Sequence, residues 1–432
     1  MAETILNVRE KIEVDDSIKE CEIYEYQPIT GTQLNTAGQI IITIENTDAF
    51  YHPSRSWLLF EGDLLHSAQG NARYVEDNLV ALVNNALMYM FTNIKYTLAG
   101  SEIESLNHPG FATTMLGYCK YAPDYKQGHG LMQCWFPDTG TAADRDTNSG
   151  FKVRQHYLIE KPDPKGSFSF AVPLDHIFGF CEDYHKVMYG MRHTLTLVRT
   201  TDDNDAIFRP NTEALDGKVI LSKISWMMPK VLPNDEMKFK LYKTIETKDT
   251  LDVGYRMRQC EVVQIQGVSE YDWRLGARTA PEKPRYIIIG MQTNKRGNQI
   301  QNAALFDHCS VKNMYVTLNS TRYPALDVNS DFDAYKFARF YKMMTDFIRD
   351  YYGIDPLIAG CAVNPIEYNE LFPLYVFDVS KQSERLNQAV VDITVKMKFA
   401  GNVGNGTCAY ALIISDRRLK LTSDGKKMSV LF

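Results

Sequence analysis

Strict alternation of apolar and polar side chains is the feature that most constrains the fold of this chain. Along 391–399 every odd-numbered residue is apolar, and the even-numbered residues are Asp, Thr, Lys and Lys. Because successive side chains of a strand point to opposite faces, this pattern predicts an antiparallel strand with one buried face and one solvated face. The same alternation predicts strands at Gln39–Glu45, Phe168–Val172, Thr194–Val198, Met237–Tyr242 and Met314–Asn319.

Two further segments extend this β-rich pattern. The continuous apolar run Tyr286–Gly290 predicts a strand that is buried on both faces. The Gly-rich segment 401–406 lies between the 391–399 strand and a predicted strand at Cys408–Ser415. A phosphate-binding glycine loop would need a helix to follow it, so we predict a hairpin loop here.

Only two segments have the periodicity of a helix. Ala334–Tyr352 places aromatic and apolar residues at spacings of three and four, and Gly353 is a natural stop after it. Val75–Phe91 is the second amphipathic segment, and a short strand at Ile94–Leu98 follows it. The aromatic stripe of the first helix could line a cofactor site, but packing against a sheet explains it more simply. We therefore predict a fold dominated by β-structure with a few short helices in long loops.

The length of 432 residues exceeds one typical hydrophobic core, so we expect two domains of similar size. The least hydrophobic long stretch, Thr200–Gly217, is the predicted connection between them. A second polar stretch, Tyr121–Gly150, looks like a long excursion from the first domain. The predicted boundaries are an N-terminal extension (1–29), a first β-domain (30–205), a connector (206–217), a second β-domain (218–415) and a C-terminal tail (416–432).

Residues that could do chemistry do not form a known motif. The nine histidines are scattered without HExxH or HxH spacing, and no G-x-S-x-G, Walker A or Rossmann pattern occurs. The closest of the eight cysteines, Cys119 and Cys134, are too far apart for a zinc knuckle and are typical of buried free thiols. We predict hydrogen-bonded structural roles for His176 and His308, and no catalytic, cofactor-binding or metal-ligating residue. Glycosidase carboxylates remain the one enzyme class that motifs do not exclude, because the fold sets their separation.

The charge distribution argues against bulk binding of nucleic acid. The net charge is −6, and the first 26 residues carry eight acidic and three basic side chains. A protein that neutralises phosphates is expected to be basic over a face or an arm, so any contact with a genome would be a local patch, and DNA is expected only as an indirect partner. The locally basic segment 417–427 could contact nucleic acid or a membrane surface, but a solvated or partner-docking terminus is the favoured interpretation. The polar, acidic start and the absence of a long apolar run predict a soluble protein without a secretory signal.

A set of segments in fixed order resembles a known family. The match spans roughly residues 75 to 420, is most specific after residue 218 and is weakest before residue 40. The family is the double jelly-roll major capsid proteins of Polinton/Maverick elements and adintoviruses, in the lineage of virophage capsid proteins and adenovirus hexons. The matching segments are Phe168–Leu174, Ile177–Phe180, Leu221–Pro229, Lys283–Gly290, Leu305–Asp307, Asn319–Pro324, Pro373–Leu374 and Phe377–Leu386.

The resemblance implies two tandem eight-stranded jelly-roll β-sandwiches. It implies that three chains form a pseudo-hexagonal homotrimeric capsomer, and that capsomers assemble into an icosahedral shell enclosing double-stranded DNA. The expected partners are neighbouring capsomers and minor and penton capsid proteins, with no cofactor and no enzymatic activity. The expected location is the virion, after synthesis in the host cytoplasm and assembly there or in the nucleus.

Individual residues also have expected roles. Arg322 and Tyr323 are predicted to be packing or inter-strand residues, and Arg385 is predicted to join an ion pair or a subunit contact. Met1–Tyr26 is predicted to extend along the base of the capsomer and to become ordered on assembly. The alternatives are a β-sandwich carbohydrate- or receptor-binding protein, a sandwich enzyme with converging carboxylates or histidines, and a domesticated capsid-derived host protein.

Overall fold

A computed structural model of the chain describes residues 16–29, 33–67, 70–211, 215–248, 250–278, 282–381, 391–425 and 427–432. Strands dominate these ranges. They are β1 (Ile18–Tyr26), β2 (Gly38–Ile44), β3 (Phe50–Tyr51), β4 (Trp57–His66), β5 (Ala81–Leu82), β6 (Phe91–Leu98), β7 (Ser101–Asn107), β8 (Ser167–Pro173), β9 (His193–Arg199), β10 (Ile207–Phe208), β11 (Gly217–Pro233), β12 (Leu251–Ile265), β13 (Glu270–Arg278), β14 (Lys283–Thr293), β15 (Val311–Leu318), β16 (Thr321–Tyr323), β17 (Tyr375–Asp378), β18 (Val391–Phe399), β19 (Thr407–Ser423) and β20 (Met428–Leu431).

Helices lie in the connections between these strands. They are α1 (Ala86–Tyr89), α2 (Pro109–Lys120), α3 (His129–Met132), α4 (Ser149–Leu158), α5 (Leu174–Ile177), α6 (Gly179–Asp183), α7 (Asp235–Glu246), α8 (Ala338–Tyr352) and α9 (Pro365–Glu370).

The strands form two sandwiches with the same order. In the N-terminal half, one sheet runs β1-β11-β4-β8 and the other runs β2-β9-β6-β7. In the C-terminal half, one sheet runs β12-β19-β14-β17 and the other runs β13-β18-β15-β16. If the eight main strands of each half are counted along the chain, both halves have the order 1-8-3-6 in one sheet and 2-7-4-5 in the other. This is the strand order of a jelly roll, so the expected double jelly roll is confirmed.

The strand pairing bears on where the two rolls divide. β11 pairs with β1 and β4, so it is the eighth strand of the first roll, although the sequence placed it in the second domain. Likewise, β1 lies within the predicted N-terminal extension, and β19 continues into the predicted C-terminal tail. The polar connector 206–217 joins the seventh and eighth strands of the first roll, where it contains β10. We therefore propose a division in the α7 segment, between Pro233 and Leu251.

The pairing of β1 also changes the expectation for the N-terminus. Residues 18–26 form a strand that pairs antiparallel with β11 of the same chain, in place of the expected extension along the base of a capsomer. Residues 1–15 lie outside the described residues.

Most predicted strands are confirmed within one or two residues at their starts, and the segment 391–399 is matched at both ends as β18. Met237–Tyr242 is wrong as a strand and lies inside α7. The side chain of Asn234 accepts a hydrogen bond from the Met237 backbone N–H, and Asp235 and Glu236 occupy the first turn. These are helix N-terminal signals, and they outweighed the apparent alternation.

The predicted helix at Val75–Phe91 is also wrong over most of its length. Only α1 is helical there, and the residues from Val80 to Phe91 are buried on all sides instead of along one stripe. By contrast, α8 confirms the helix predicted at 334–352, and it ends at Gly353 in the left-handed conformation. The loop at 401–406 does not form a hairpin, because it joins β18 and β19, which belong to different sheets.

Candidate functional site: the junction between the two jelly rolls

The two rolls meet along the edge strand β12. This strand is outermost in its sheet, so one row of its backbone groups has no neighbouring strand there. Carboxylates of the first roll accept hydrogen bonds from two backbone N–H groups on that side of β12. Asp183 Oδ2 accepts a hydrogen bond of 2.8 Å from the Arg256 backbone N–H, and Glu104 Oε1 accepts one of 2.8 Å from the Arg258 backbone N–H. The first roll therefore satisfies an edge that would otherwise be open to pairing with another chain.

Gly179 permits this close approach. A Cβ atom at this position would lie 1.7 Å from the carbonyl oxygen of Arg256, so no other residue fits without moving the strand. The backbone N–H groups of Gly179 and Phe180 donate to Glu104 at 3.1 and 3.0 Å. One buried carboxylate thus binds α6 of the first roll and β12 of the second.

Arg258 carries the opposite charge at this junction. Its guanidinium donates to Glu182 Oε2 at 2.6 Å and to the carbonyl oxygen of His176 at 2.8 Å. Its side chain is only 1% exposed. The other oxygen of Glu182 accepts from Lys120 Nζ at 2.5 Å and from the Tyr352 hydroxyl at 2.9 Å. The ion pair therefore joins α2, α6 and α8 to the edge strand.

The pKa values of the two glutamates are shifted in opposite directions. Burial raises the pKa of Glu104 to about 7, although the positive charge of Arg258 opposes this. For Glu182, burial also acts to raise the pKa, but the charges of Arg258 and Lys120 prevail and lower it to about 2. A buried ion pair of this kind depends on both partners, since removing one leaves an uncompensated charge.

A second arginine holds the end of α8 against the junction. The guanidinium of Arg256 binds both carboxylate oxygens of Asp183, and its carbon lies 3.7 Å from the centre of the Tyr351 ring. It also donates to the Tyr351 carbonyl oxygen at 2.9 Å. Arginine suits this place because its planar fork can bind a carboxylate and stack on a ring simultaneously.

Helix α2 fills the space between the rolls. Eleven of its twelve residues are buried, and only Lys120 is partly exposed. Phe111 stacks on Tyr410 of β19 with ring centres 4.0 Å apart. The hydroxyls of Tyr118 and Tyr89 donate to the carbonyl oxygens of Ala304 and Ala303, each at 3.0 Å. The junction therefore combines apolar packing with hydrogen bonds and buried charges.

This arrangement holds two bodies together, and its central carboxylate is closed to solvent. Glu104 is fully buried, and its oxygens accept three backbone N–H groups. Within the part of the chain that the structure describes, no group of three His, Cys, Asp or Glu side chains is arranged to hold a metal ion. No helix of the described ranges has the length and apolar character needed to span a membrane.

The residues singled out from sequence lie elsewhere. His176 is buried and hydrogen-bonds with Tyr121 and Asn85, and His308 accepts from the Ser310 backbone N–H, as predicted. Arg322 pairs with Thr317 across β15 and β16 and stacks on Tyr315, which confirms an inter-strand role. Tyr323 pairs with Val316 in the same ladder. Arg385 lies outside the described residues.

Sequence reasoning missed Glu104, Asp183, Arg256 and Arg258. The available signal was Arg256 and Arg258 two positions apart in a strand whose other face is apolar. Such a polar face normally contacts water. Here the first roll packs against it and excludes water, and this contact is visible only in the structure.

The chain matches known proteins by family and by fold. The model of the double jelly roll-like domain family matches residues 147–419. No curated protein matches the chain.

All eight cysteines are free thiols, and Cys21 is exposed.

Three solved structures show the fold similarity. A chain of the Sputnik virophage has a TM-score of 0.64 and 10% identity, with 99% of this chain and 91% of that chain covered. A chain of the PBCV-1 virus capsid has a TM-score of 0.57 and 9% identity, with 98% and 99% covered. The mavirus major capsid protein has a TM-score of 0.56 and 10% identity, with 99% and 92% covered. These structures share the fold of the chain. Because the family model matches more than half of its residues, the chain belongs to the double jelly roll-like domain family.

Proposed function

We propose that this chain is a major capsid protein that forms pseudo-hexagonal homotrimers, and that these capsomers tile an icosahedral shell around double-stranded DNA. In this role it is a structural protein and not an enzyme. Its partners are copies of itself, neighbouring capsomers and minor and penton proteins. The sequence motifs favour the Polinton/Maverick and adintovirus lineage.

The observation that carries this proposal is the repeated strand order of two rolls held by one buried junction. Three such chains present six similar walls, so a closed three-fold ring can occupy a site with six neighbours. A linker alone would let two rolls move relative to each other. The buried contacts of Glu104, Arg258 and Asp183 favour one fixed arrangement instead.

The charge supports a shell that encloses DNA without coating it. The net charge of −6 provides no general attraction to phosphates. Ion pairs also occupy many of the described basic residues, including Arg73, Arg154 and Arg199.

The solution mass of the purified chain, followed by negative-stain images, tests the proposal. We expect a particle of three 49.4 kDa chains with a hexagonal outline, or closed shells. A chain that stays monomeric at high concentration and at every salt concentration would contradict it. A glycan array on the same sample tests the carbohydrate-binding alternative, which requires a specific hit from the monomer.

A further inference from the structure

An open groove of about 400 Å³ lies at the end of the first roll where β4 begins and β8 ends. Trp57 of β4 and Pro173 of β8, which are paired with each other, both line it. The turn before β4, the segment 125–133 and the start of α5 supply the other lining residues. The groove is therefore assembled from segments that are far apart along the chain, and all of its lining residues belong to the described ranges.

Two opposite charges line this groove without being paired. Arg55 is exposed and Asp175 is half-buried, and among the described residues neither side chain has a hydrogen-bond or ion-pair partner. The Leu174 backbone N–H donates to the Ser56 carbonyl oxygen at 3.0 Å, so Arg55 and Asp175 each follow or precede a residue of this hydrogen bond. The hydroxyl of Ser54, also in the lining, is buried and has no partner within the described part of the chain. Buried polar groups normally find one, so the groove has unused hydrogen-bonding capacity.

Aromatic rings stand beside these polar groups. Trp57 is partly exposed in the groove. Tyr125 stacks on Tyr121 with ring centres 3.9 Å apart, and its hydroxyl donates to Gln133 Oε1 at 3.1 Å, so its position is fixed. Burial raises the pKa of Tyr125, and the negative charge of Asp175 raises it further, which shows that the hydroxyl and the carboxylate are close. The groove thus combines flat apolar surfaces with unpaired polar groups, as ligand sites do.

We propose that this groove binds an uncharged sugar, with the rings of Trp57 and Tyr125 against its carbon face and its hydroxyls bonded to Arg55 and Asp175. The two charges select this class of ligand. An anion would be repelled by Asp175 and an ammonium group by Arg55, whereas a sugar hydroxyl both donates to a carboxylate and accepts from a guanidinium. The inference goes beyond the proposed function and does not depend on how copies of the chain associate.

An extended peptide is also uncharged along its backbone, but the neighbouring edge of β8 does not suit one. β8 is outermost in its sheet. Its carbonyl oxygens at Ser169 and Ser167 already accept hydrogen bonds from the Tyr157 hydroxyl and from Lys161 Nζ. Pro173 has no N–H to donate. Strand addition depends on free backbone groups, so the groove favours a sugar over a peptide strand.

The fluorescence of Trp57 tests the proposal. The chain has four tryptophans, and the other three are no more than 6% exposed, so Trp57 is the one that acrylamide reaches most easily. Quenching is measured on the purified protein with the methyl glycosides of glucose, galactose, mannose and N-acetylglucosamine. Glucuronate and glucosamine are the anionic and cationic probes. We expect at least one uncharged glycoside to protect Trp57 from quenching, and both charged probes to bind about tenfold more weakly.

Substitutions in the groove provide the second test. Arg55→Met and Asp175→Asn each remove a charged hydrogen-bond partner and should weaken glycoside binding about tenfold, with an unchanged circular dichroism spectrum. Asp124→Asn is the matched control, because Asp124 is exposed on the nearby segment but does not line the groove, and it should bind as the wild type does.

The inference fails if no uncharged glycoside protects Trp57, if a charged probe binds more tightly, or if both groove variants bind as the wild type does. The solution mass of the same sample separates this outcome from the proposed function. A trimer that binds no glycoside would overturn the inference alone. A chain that binds a glycoside but never associates would overturn the capsid proposal alone.

Discussion

β12 and β1 hold the same position in their respective rolls, but their environments are opposite. Two carboxylates, a glycine and a buried ion pair cover the outer edge of β12. β1 shows all but one of its residues to solvent. The two rolls share a strand order, so the difference lies in what each edge meets. It teaches that a duplicated fold can surround equivalent strands differently, with one edge joining the two halves and the other exposed.

Loss of Arg258 should have the largest effect on the covered edge. Arg258→Met leaves Glu104 buried without a cation and Glu182 with Lys120 alone, so we expect a loss of about 3–5 kcal/mol in the free energy of unfolding. Urea denaturation at neutral pH measures it. Arg274→Met is the control, since Arg274 is 73% exposed beside Asp392 and should cost under about 1 kcal/mol. Equal losses for the two variants would show that the buried pair has no special role.

Closing the space at Gly179 should have the next largest effect. Gly179→Ala places a methyl group against the Arg256 carbonyl oxygen and should destabilise the chain by about 3 kcal/mol, because α6 and β12 must separate. Gly254→Ala, in the same strand, has no atom within 4 Å of its added Cβ. It should be neutral or slightly stabilising, since alanine suits a strand better than glycine. A stable Gly179→Ala protein would mean that the two elements can move apart freely.

The pH dependence of stability should reveal Glu104. Its pKa in the folded chain is about 7 and the ordinary value is 4.5, so the folded state binds this proton more tightly. The contribution of Glu104 to the free energy of unfolding is therefore greatest at low pH. About 2–3 kcal/mol of it is lost as pH rises from 4.5 to 7. Urea denaturation measures the free energy of unfolding of the wild type and of Glu104→Gln at each pH. The difference between the two free energies isolates this fall. A difference that is constant with pH would contradict the raised pKa.

Glu182 should act in the opposite direction. Its folded pKa is about 2, so its contribution is present above pH 4.5 and is lost as pH falls towards 2. The difference in the free energy of unfolding between the wild type and Glu182→Gln should decrease as the pH falls. A flat difference between pH 4.5 and 2 would contradict the lowered pKa.

The smallest effect belongs to the open edge. Ile23→Ala in the dilute monomer should change the free energy of unfolding by under about 0.5 kcal/mol, since this side chain is more than half exposed. Val253→Ala in β12, where Val253 is 2% exposed, should cost about 1–2 kcal/mol. Chemical denaturation of both variants at the lowest measurable concentration makes the comparison. A large loss for Ile23→Ala would mean that β1 is already covered in the monomer.

The sequence predicted the fold best where one face of an element is wet and the other is buried. β18 and α8 meet this condition, and both were found with little error. Helix α2 was missed because it is buried all round, which removes the periodic pattern of an amphipathic helix. α7 was misread because apolar residues two apart at 237, 239 and 241 imitate a strand over a short window.

The junction could not be predicted for a different reason. Its carboxylates and arginines come from segments that are separated by up to 154 positions along the chain, such as Glu104 and Arg258. Each of them alone looks like an ordinary surface charge. Only the packing of one roll against the other removes water from them, and a single sequence contains no signal for that contact.

The lengths of β11 and β19 have a consequence for any shell built from this chain. Each is the eighth strand of its roll, and each is 17 residues long. At about 3.3 Å per residue, either strand spans about 55 Å. If the strands stand upright in the shell, this length sets the thickness of the container wall. Since the two lengths are equal, both rolls supply the same length of strand to the thickness of the proposed shell.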